Sequence, residues 1–149
     1  MRSQIWQAQD ALYTALSNAT WPGSVQVDLA APPNMERDSV WVSGEVDDWA
    51  AEYRTSGLAA KDENFALRVH VLSKRLGNYT DARDRVKALG EVVEDVVGAD
   101  HTLAGTVMLA TIERSQLEAS LGEDGRTRMV LLTLWVRCRA HVTPAPPSP

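Results

Sequence analysis

Hydrophobic residues recur along this chain with two different periods, and each change of period marks a predicted element. The first stretch has helical spacing and predicts a helix that runs to about Asn18, with Ser3 as its N-cap. Its apolar stripe consists of Ile5, Ala8, Leu12, Ala15 and Leu16. Residues 20–23, Thr-Trp-Pro-Gly, have the composition of a turn that follows this helix.

The middle of the chain alternates between apolar and polar residues, which is typical of strands. Residues 24–29 predict a short strand, and residues 39–53 predict a long strand that is bulged or kinked at Gly44. Residues 54–64 are small or charged and have no period, so we expect a loop that joins a hairpin. The second strand of that hairpin is predicted over residues 65–73.

A second helical period follows over residues 80–98. We expect Thr80 to cap this helix and Gly98 to end it. Its apolar stripe consists of Ala82, Val86, Leu89, Val93 and Val96. Gly90 lies inside the helix, where it costs about 1 kcal/mol relative to Ala, so close packing against a neighbour is expected there.

Two more extended runs complete the pattern, at residues 106–113 and 128–142, with a turn at residues 122–125. The order of elements predicts an α+β fold with a mixed, mostly antiparallel β-sheet flanked by two helices. We expect one domain over residues 1–143, followed by a flexible Pro-rich tail over residues 144–149.

Composition narrows the classes of function. The chain has 149 residues, which suits one domain, and its formal net charge of −5 argues against a dedicated nucleic-acid binder. The single cysteine, Cys138, excludes an intramolecular disulfide, and its apolar position in a strand predicts burial. No segment is apolar enough to span a membrane, and residues 1–6 lack the core of a signal peptide, so we expect the protein to be made and kept in a cytoplasm.

Residues able to do chemistry are sparse. The histidines His70, His101 and His141 do not have the spacing of a zinc site. Asp100-His101 and Ser115 offer the residue types of a triad, but sequence adjacency does not create triad geometry. We therefore expect no catalytic residue, no metal and no cofactor.

The adjacent carboxylates Asp47 and Asp48 are the remaining candidates for a paired acidic site. Neighbouring residues of a strand point to opposite faces, so a solvated acidic edge is the expected arrangement.

Five tryptophans are many for a chain with one phenylalanine. Trp41, Trp49 and Trp135 all fall on predicted strands. Core packing is one interpretation, and anchoring of an interface is the other, because Trp is enriched where one protein buries surface on another. Both interpretations stay open from the sequence.

The order of elements resembles that of the tail terminator (tail completion) proteins of long-tailed phages, over about residues 4–142. The passage Val93 to Val107, VEDVVGADHTLAGTV, resembles the family where a helix ends in a short loop and a Thr-Leu-small-Gly segment starts a strand. The final strand, rich in Val, Leu, Arg and Trp, is similar as well.

This resemblance implies a structural virion protein rather than an enzyme. Such a protein forms a homohexameric ring at the head-proximal end of the tail, ends polymerisation of the tube and provides the docking surface for the head. Its partners would be copies of itself, the major tail tube protein and the connector or neck proteins, while DNA passes through the lumen without specific binding. A head-tail connector or head-closure protein is the alternative, and a small α+β ligand-binding or enzymatic domain is a second one.

Charge along the chain predicts how such a ring closes. Residues 36–63 carry eight acids and three bases, whereas residues 125–149 carry four arginines and no acid. A cyclic ring needs two unlike surfaces, so we expect the acidic region of one subunit to meet the last strand of the next. The interface residues would be Asp47, Asp48, Glu52, Trp135, Arg137 and Arg139. The alternative is that these arginines pair within their own subunit across the sheet.

The loop is predicted to contact the tail tube or a neighbouring subunit. Its candidate residues are Arg54, Ser56, Gly57, Lys61 and Asp62. Acidic residues are expected to outnumber basic ones in the lumen, because each phosphate that a protein neutralises adds affinity for DNA and would hinder sliding.

Overall fold

A computed structural model describes residues 3–53 and 61–142 of the chain. It contains two helices and five strands in the predicted order. The elements are α1 (Ile5–Asn18), β1 (Gln26–Leu29), β2 (Asp38–Tyr53), β3 (Lys61–Leu76), α2 (Tyr79–Ala99), β4 (Leu109–Leu121) and β5 (Thr127–Val142). The α+β class is confirmed.

The strands form one sheet in the order β1-β2-β3-β5-β4. β1 runs parallel to β2, and the other neighbours are antiparallel, so the predicted mixed, mostly antiparallel sheet is confirmed. Helix α1 packs on β1 and β2, while α2 packs on β3, β5 and β4. Both helices lie against the same face, because their apolar stripes join one core with the inward residues of the strands. We call the other face of the sheet the open face.

The core follows from the two periods read along the sequence. Ala8, Leu12 and Leu16 of α1 are fully buried. In α2, the buried residues are Ala82, Val86, Leu89, Gly90, Val93 and Val97. The alternating rows of β3 and β5 supply the opposite wall, including Phe65 and Val136. Cys138 has no exposed surface, as predicted, and burial raises the pKa of its thiol to about 12.

The N-caps of both helices differ from the prediction. Gln4 is the N-cap of α1, while the hydroxyl of Ser3 donates to a carboxylate oxygen of Glu63 at 2.7 Å and accepts from the backbone N–H of Ile5 at 3.2 Å. Asn78 caps α2, because its side-chain oxygen accepts from the backbone N–H of Asp81 at 3.2 Å. Asn ranks above Thr as a cap, and β3 already ends at Leu76, so the helix begins one residue before Thr80.

Several predicted boundaries were wrong. β3 begins at Lys61, so residues 61–64 are strand rather than loop. The polar composition was misleading there because Glu63 is buried and acts as a hydrogen-bond acceptor for the start of α1. β4 spans Leu109–Leu121 instead of residues 106–113, and α2 continues past Gly98 to Ala99.

A tight turn replaces the predicted start of β4. The carboxylate of Asp100 accepts from the backbone N–H groups of Thr102 and Ala104. Leu103, Ala104 and Gly105 all have positive φ, at 45°, 58° and 80°. This left-handed turn delays the strand, because residues with positive φ lie outside the extended region.

The register of β2 against β3 shifts between Val42 and Val46, which confirms the kink predicted at Gly44. A second shift follows between Asp47 and Ala50, and Asp48 has a φ of 54° there. The expectation that Asp47 and Asp48 point to opposite faces was therefore wrong, because strand alternation is broken at this bulge.

Candidate functional site

The open face of the sheet carries aromatic rings covered by charged side chains. Trp41 and Trp135 are 7% and 9% exposed although no helix covers them. The guanidinium of Arg114 lies 4.1 Å from the centre of the Trp135 ring, a cation–π arrangement. The ring of His70 lies 5.1 Å from that of Trp41. These two indole rings are therefore covered by side chains of neighbouring strands.

Asp47 connects the charged and aromatic parts of the open face. It accepts from Arg68 Nε at 2.5 Å and from Arg68 Nη2 at 2.6 Å. The indole N–H of Trp135 donates to the same carboxylate at 2.9 Å. The hydrogen bonds from Arg68 hold the pKa of Asp47 below its usual value, since they outweigh the effect of burial. Asp47 is thus ionised and already bonded within its own subunit.

The arginines predicted at the interface also have partners inside the subunit. Arg137 pairs with Asp48 at 3.1 Å and with Glu113 at 2.9 Å. Arg139 pairs with Asp62 at 3.1 Å. These contacts match the alternative in which the arginines bond across their own sheet.

The structure thus brings most of the predicted interface residues together on one face of a single subunit. They form two groups: Asp47 bonds to Arg68 and Trp135, and Arg137 bonds to Asp48 and Glu113. The side chain of Glu52 lies outside what the structure describes. The predicted loop residues Arg54, Ser56 and Gly57 also lie outside the described residues.

A second surface feature, the α2–β4 groove, was not predicted. It is lined by Arg83, Val86 and Lys87 of α2, with Leu117 of β4 and Leu132 of β5, and has a cavity volume of about 300 Å³. Leu117 is 48% exposed. The groove exists because β4 extends eight residues beyond its predicted end at Glu113, to Leu121, and runs beside α2. Only the alternation of Leu117, Ala119 and Leu121 signalled this extension.

A third feature lies at the start of α1. Trp6 and Trp49 are 67% and 57% exposed, the first on α1 and the second on β2. The indole N–H of Trp49 donates to Glu63 at 2.7 Å, and the same carboxylate accepts from the backbone N–H of Gln4 at 2.9 Å. Asp10 is exposed one helical turn after Trp6. We call Trp6, Asp10 and Trp49 the Trp6 patch.

The candidate chemical groups have structural partners. The ring of His70 lies 3.0 Å from the Thr133 hydroxyl, and its pKa is lowered by burial and by Arg68. Asp100 holds the turn after α2, as described above. Within residues 3–53 and 61–142, no group of three or more His, Cys, Asp or Glu side chains could hold a metal ion. In the same part of the chain, no helix is both long and apolar enough to cross a bilayer.

Comparison with known proteins gives likenesses among solved structures. No protein-family model and no curated protein matches the chain. Among solved structures, a chain described as "Virion of native gene transfer agent (GTA) particle" is similar, with 18% sequence identity and a TM-score of 0.49. The match covers 91% of this chain and 92% of that chain.

Proposed function

We propose that this chain is a structural virion protein of the tail terminator class. It would form a ring at the head-proximal end of the phage tail tube, end polymerisation of the tube and provide the surface on which the head docks. The observation that carries this proposal is the order of elements, α1-β1-β2-β3-α2-β4-β5, which is the order in which the sequence resembles that family.

The shape of the subunit is suited to this role. Both helices cover one face of the sheet, and β1 and β4 form two unlike edges. A closed ring is built from contacts between unlike surfaces, which such a subunit offers. β3 and β5 have 16 residues each, so the centre of the sheet is roughly 50 Å long. A strand pair of this length reaches from one end of the subunit to the other, where a tube and a head could each dock.

The predicted charged interface is one proposed contact between neighbouring subunits of the ring. In it, Asp47, Asp48 and Glu52 of one subunit meet Trp135, Arg137 and Arg139 of the next. Ring closure through these residues requires an exchange of partners, because Arg137 and Arg139 pair with acids of their own subunit. Trp135 would also have to leave Asp47 and the cover of Arg114. The region of residues 54–62 is proposed to contact the tail tube.

DNA would pass through the lumen without being gripped. The net charge of each subunit is −5, so a ring of several copies is strongly acidic. Repulsion from phosphates disfavours tight binding and allows sliding. The partners are thus the chain itself, the tube protein and the neck proteins, with the virion tail as the location after assembly in the host cytoplasm.

Two measurements test this proposal. Mass photometry of the purified chain should show a ring of about six copies. Adding the chain to polymerising tail tube protein should stop growth, and electron microscopy should then show shorter tubes capped at one end. A ring that binds neck components but leaves tube length unchanged would favour the connector alternative. A monomer without effect on tubes would overturn the proposal.

A further inference from the structure

Two exposed apolar surfaces lie on different parts of this subunit. The α2–β4 groove borders β4, which is one edge of the sheet. The Trp6 patch lies on α1 and β2, away from β4, because α1 packs mainly on β1 and β2. Asp10 lies on the side of α1 that faces Val96 and Asp100 at the end of α2. Exposed apolar side chains with a polar rim are a common arrangement at protein interfaces.

The two surfaces are complementary in charge. The rim of the groove carries the cations Arg83 and Lys87, above a floor made by Val86, Leu117 and Leu132. The Trp6 patch carries an aromatic ring and the carboxylate of Asp10. Cations placed beside an indole attract its face, and a carboxylate one turn away can pair with the same cations.

They are also complementary in size. A cavity of about 300 Å³ is at the small end of the range for ligand sites, so it suits one large side chain rather than a whole ligand. Trp6 is the most exposed of the tryptophans described here, at 67%. Trp is the residue type found most often as the anchor of an interface.

We infer that Trp6 of one copy inserts into the α2–β4 groove of the next copy, with Asp10 meeting Arg83 or Lys87. This inference rests on the self-assembly in the proposed function and names the surfaces that carry it. The contact joins unlike surfaces from different parts of the subunit, so a pair of copies still has one free groove on one copy and one free Trp6 patch on the other. Repetition of the contact builds a ring or an open chain.

Substitutions on either side of the contact test it. Trp6→Ala removes the anchor, and Leu117→Glu places a charge on the floor of the groove. Both positions are exposed, so the variants should keep the circular dichroism spectrum and melting temperature of the wild type. Each should raise the dissociation constant between subunits about 30-fold or more, as loss of an interface anchor does. Leu76→Ser is the matched control, because Leu76 is 74% exposed and belongs to neither surface.

Mixing the two variants gives the sharper result. Trp6→Ala retains an intact groove, and Leu117→Glu retains an intact Trp6 patch. Their equimolar mixture should form dimers with one complete contact and stop there, as read by mass photometry. Charge exchange offers a second readout. Lys87→Asp should weaken assembly, and combining it with Asp10→Lys should restore at least half of the assembled fraction.

The outcomes separate this contact from the proposed role. If the wild type and both variants assemble equally well, the contact is overturned and the ring stands. If assembly depends on Trp6 and Leu117 but tube length is unaffected, the contact stands and the terminator role fails. A wild type that stays monomeric at every concentration overturns the contact together with the self-assembly on which it rests.

Discussion

Asp38 shows how a single residue joins the helix layer to the sheet. It is 6% exposed and accepts hydrogen bonds from Ser73 and Arg75 of β3 and from Arg85 of α2. Burial alone would raise its pKa, but the bonds from Arg75, Arg85 and Ser73 outweigh that effect and hold the pKa below 3.8. The ionised carboxylate is therefore the stable form in the folded chain.

The pH dependence of stability should reflect Asp38. A pKa that is lower in the folded state stabilises the fold above the ordinary value of 3.8. That contribution is lost as pH falls below this value, toward the folded pKa. Urea unfolding measured from about pH 3 to about pH 7 should show this loss of unfolding free energy at the acid end. The Asp38→Asn variant should lose less there, because it has no carboxyl group at this position.

At neutral pH, Asp38→Asn should cost about 3 kcal/mol, since Arg75 and Arg85 lose a charged partner. Asp84→Asn is the control, because the Arg83–Asp84 pair is exposed and should contribute little. Equal effects of the two substitutions would contradict this account of Asp38.

The turn after α2 contains strain that one substitution should relieve. Ala104 is exposed and has a φ of 58°, which costs an L-residue about 1 kcal/mol relative to glycine. Ala104→Gly should raise the free energy of unfolding by about 0.5 to 1 kcal/mol, measured by urea denaturation. Gly105→Ala should do the opposite by a similar amount, because Gly105 has a φ of 80° with open space around it.

Single residues were predictable where one physical effect dominates. The burial of Cys138 followed from its place in the apolar row of an alternating strand, and the kink at Gly44 followed from the presence of a glycine inside a strand. The placement of Asp47 and Asp48 did not, because a bulge depends on the register of two strands rather than on local sequence. The turn at Leu103 and Ala104 was missed for a similar reason, since neither residue type favours positive φ.

At the scale of elements, α2 contains two glycines that separate helix propensity from packing. A Cβ at Gly90 would lie 2.7 Å from Cδ2 of Leu132, whereas a Cβ at Gly98 would have no neighbour within 4 Å. The close packing expected at Gly90 is therefore confirmed. Leu132 is half-buried and lines the α2–β4 groove, so its side chain can move into that space.

Both glycine-to-alanine substitutions should stabilise α2 by up to about 1 kcal/mol through helix propensity. Only Gly90→Ala should also weaken self-assembly, because Leu132 would then occupy part of the groove. Thermal unfolding measures the first effect, and mass photometry measures the second. Loss of assembly with Gly98→Ala as well would show that the groove is not the cause.

Elements were predicted in type and order because their apolar periods are long and regular. Their ends were less predictable, since hydrogen bonds across the chain decide them. Lys61 to Asn64 lack an apolar period but pair with β5, and Glu63 is buried because it accepts bonds from Ser3, Gln4 and Trp49. Ser3 lies 60 residues from Glu63 along the chain and Trp49 lies 14 residues from it, so the sequence around Glu63 does not indicate its burial.

For the whole molecule, two possible subunit contacts make different predictions. Arg137→Glu with Arg139→Glu should abolish ring formation if the charged interface closes the ring. Reversing Asp47 and Asp48 as well should then partly restore it. If instead Trp6 and the groove close the ring, the arginine variant should still assemble, because neither arginine belongs to those surfaces. Sedimentation velocity of the folded variants decides between the two.

The assembly surfaces were only partly predictable from the sequence. The tryptophan count left core packing and interface anchoring both open, and charge segregation suggested a contact between unlike surfaces. The structure shows that Trp41 and Trp135 are covered within the subunit, whereas Trp6 and Trp49 are exposed. Sequence alone could not separate them, because the covering groups come from Arg114 and His70 on other strands.

The position of β5 in the sheet has a consequence for how the protein is made. Among the described strands it comes last in sequence, yet it lies between β3 and β4. While a ribosome synthesises the chain, β3 and β4 remain without their shared neighbour until residues 127–142 emerge. The sheet is therefore completed only after those residues have been translated. A product truncated before β5 would lack the middle of its sheet, so cellular quality control should remove it.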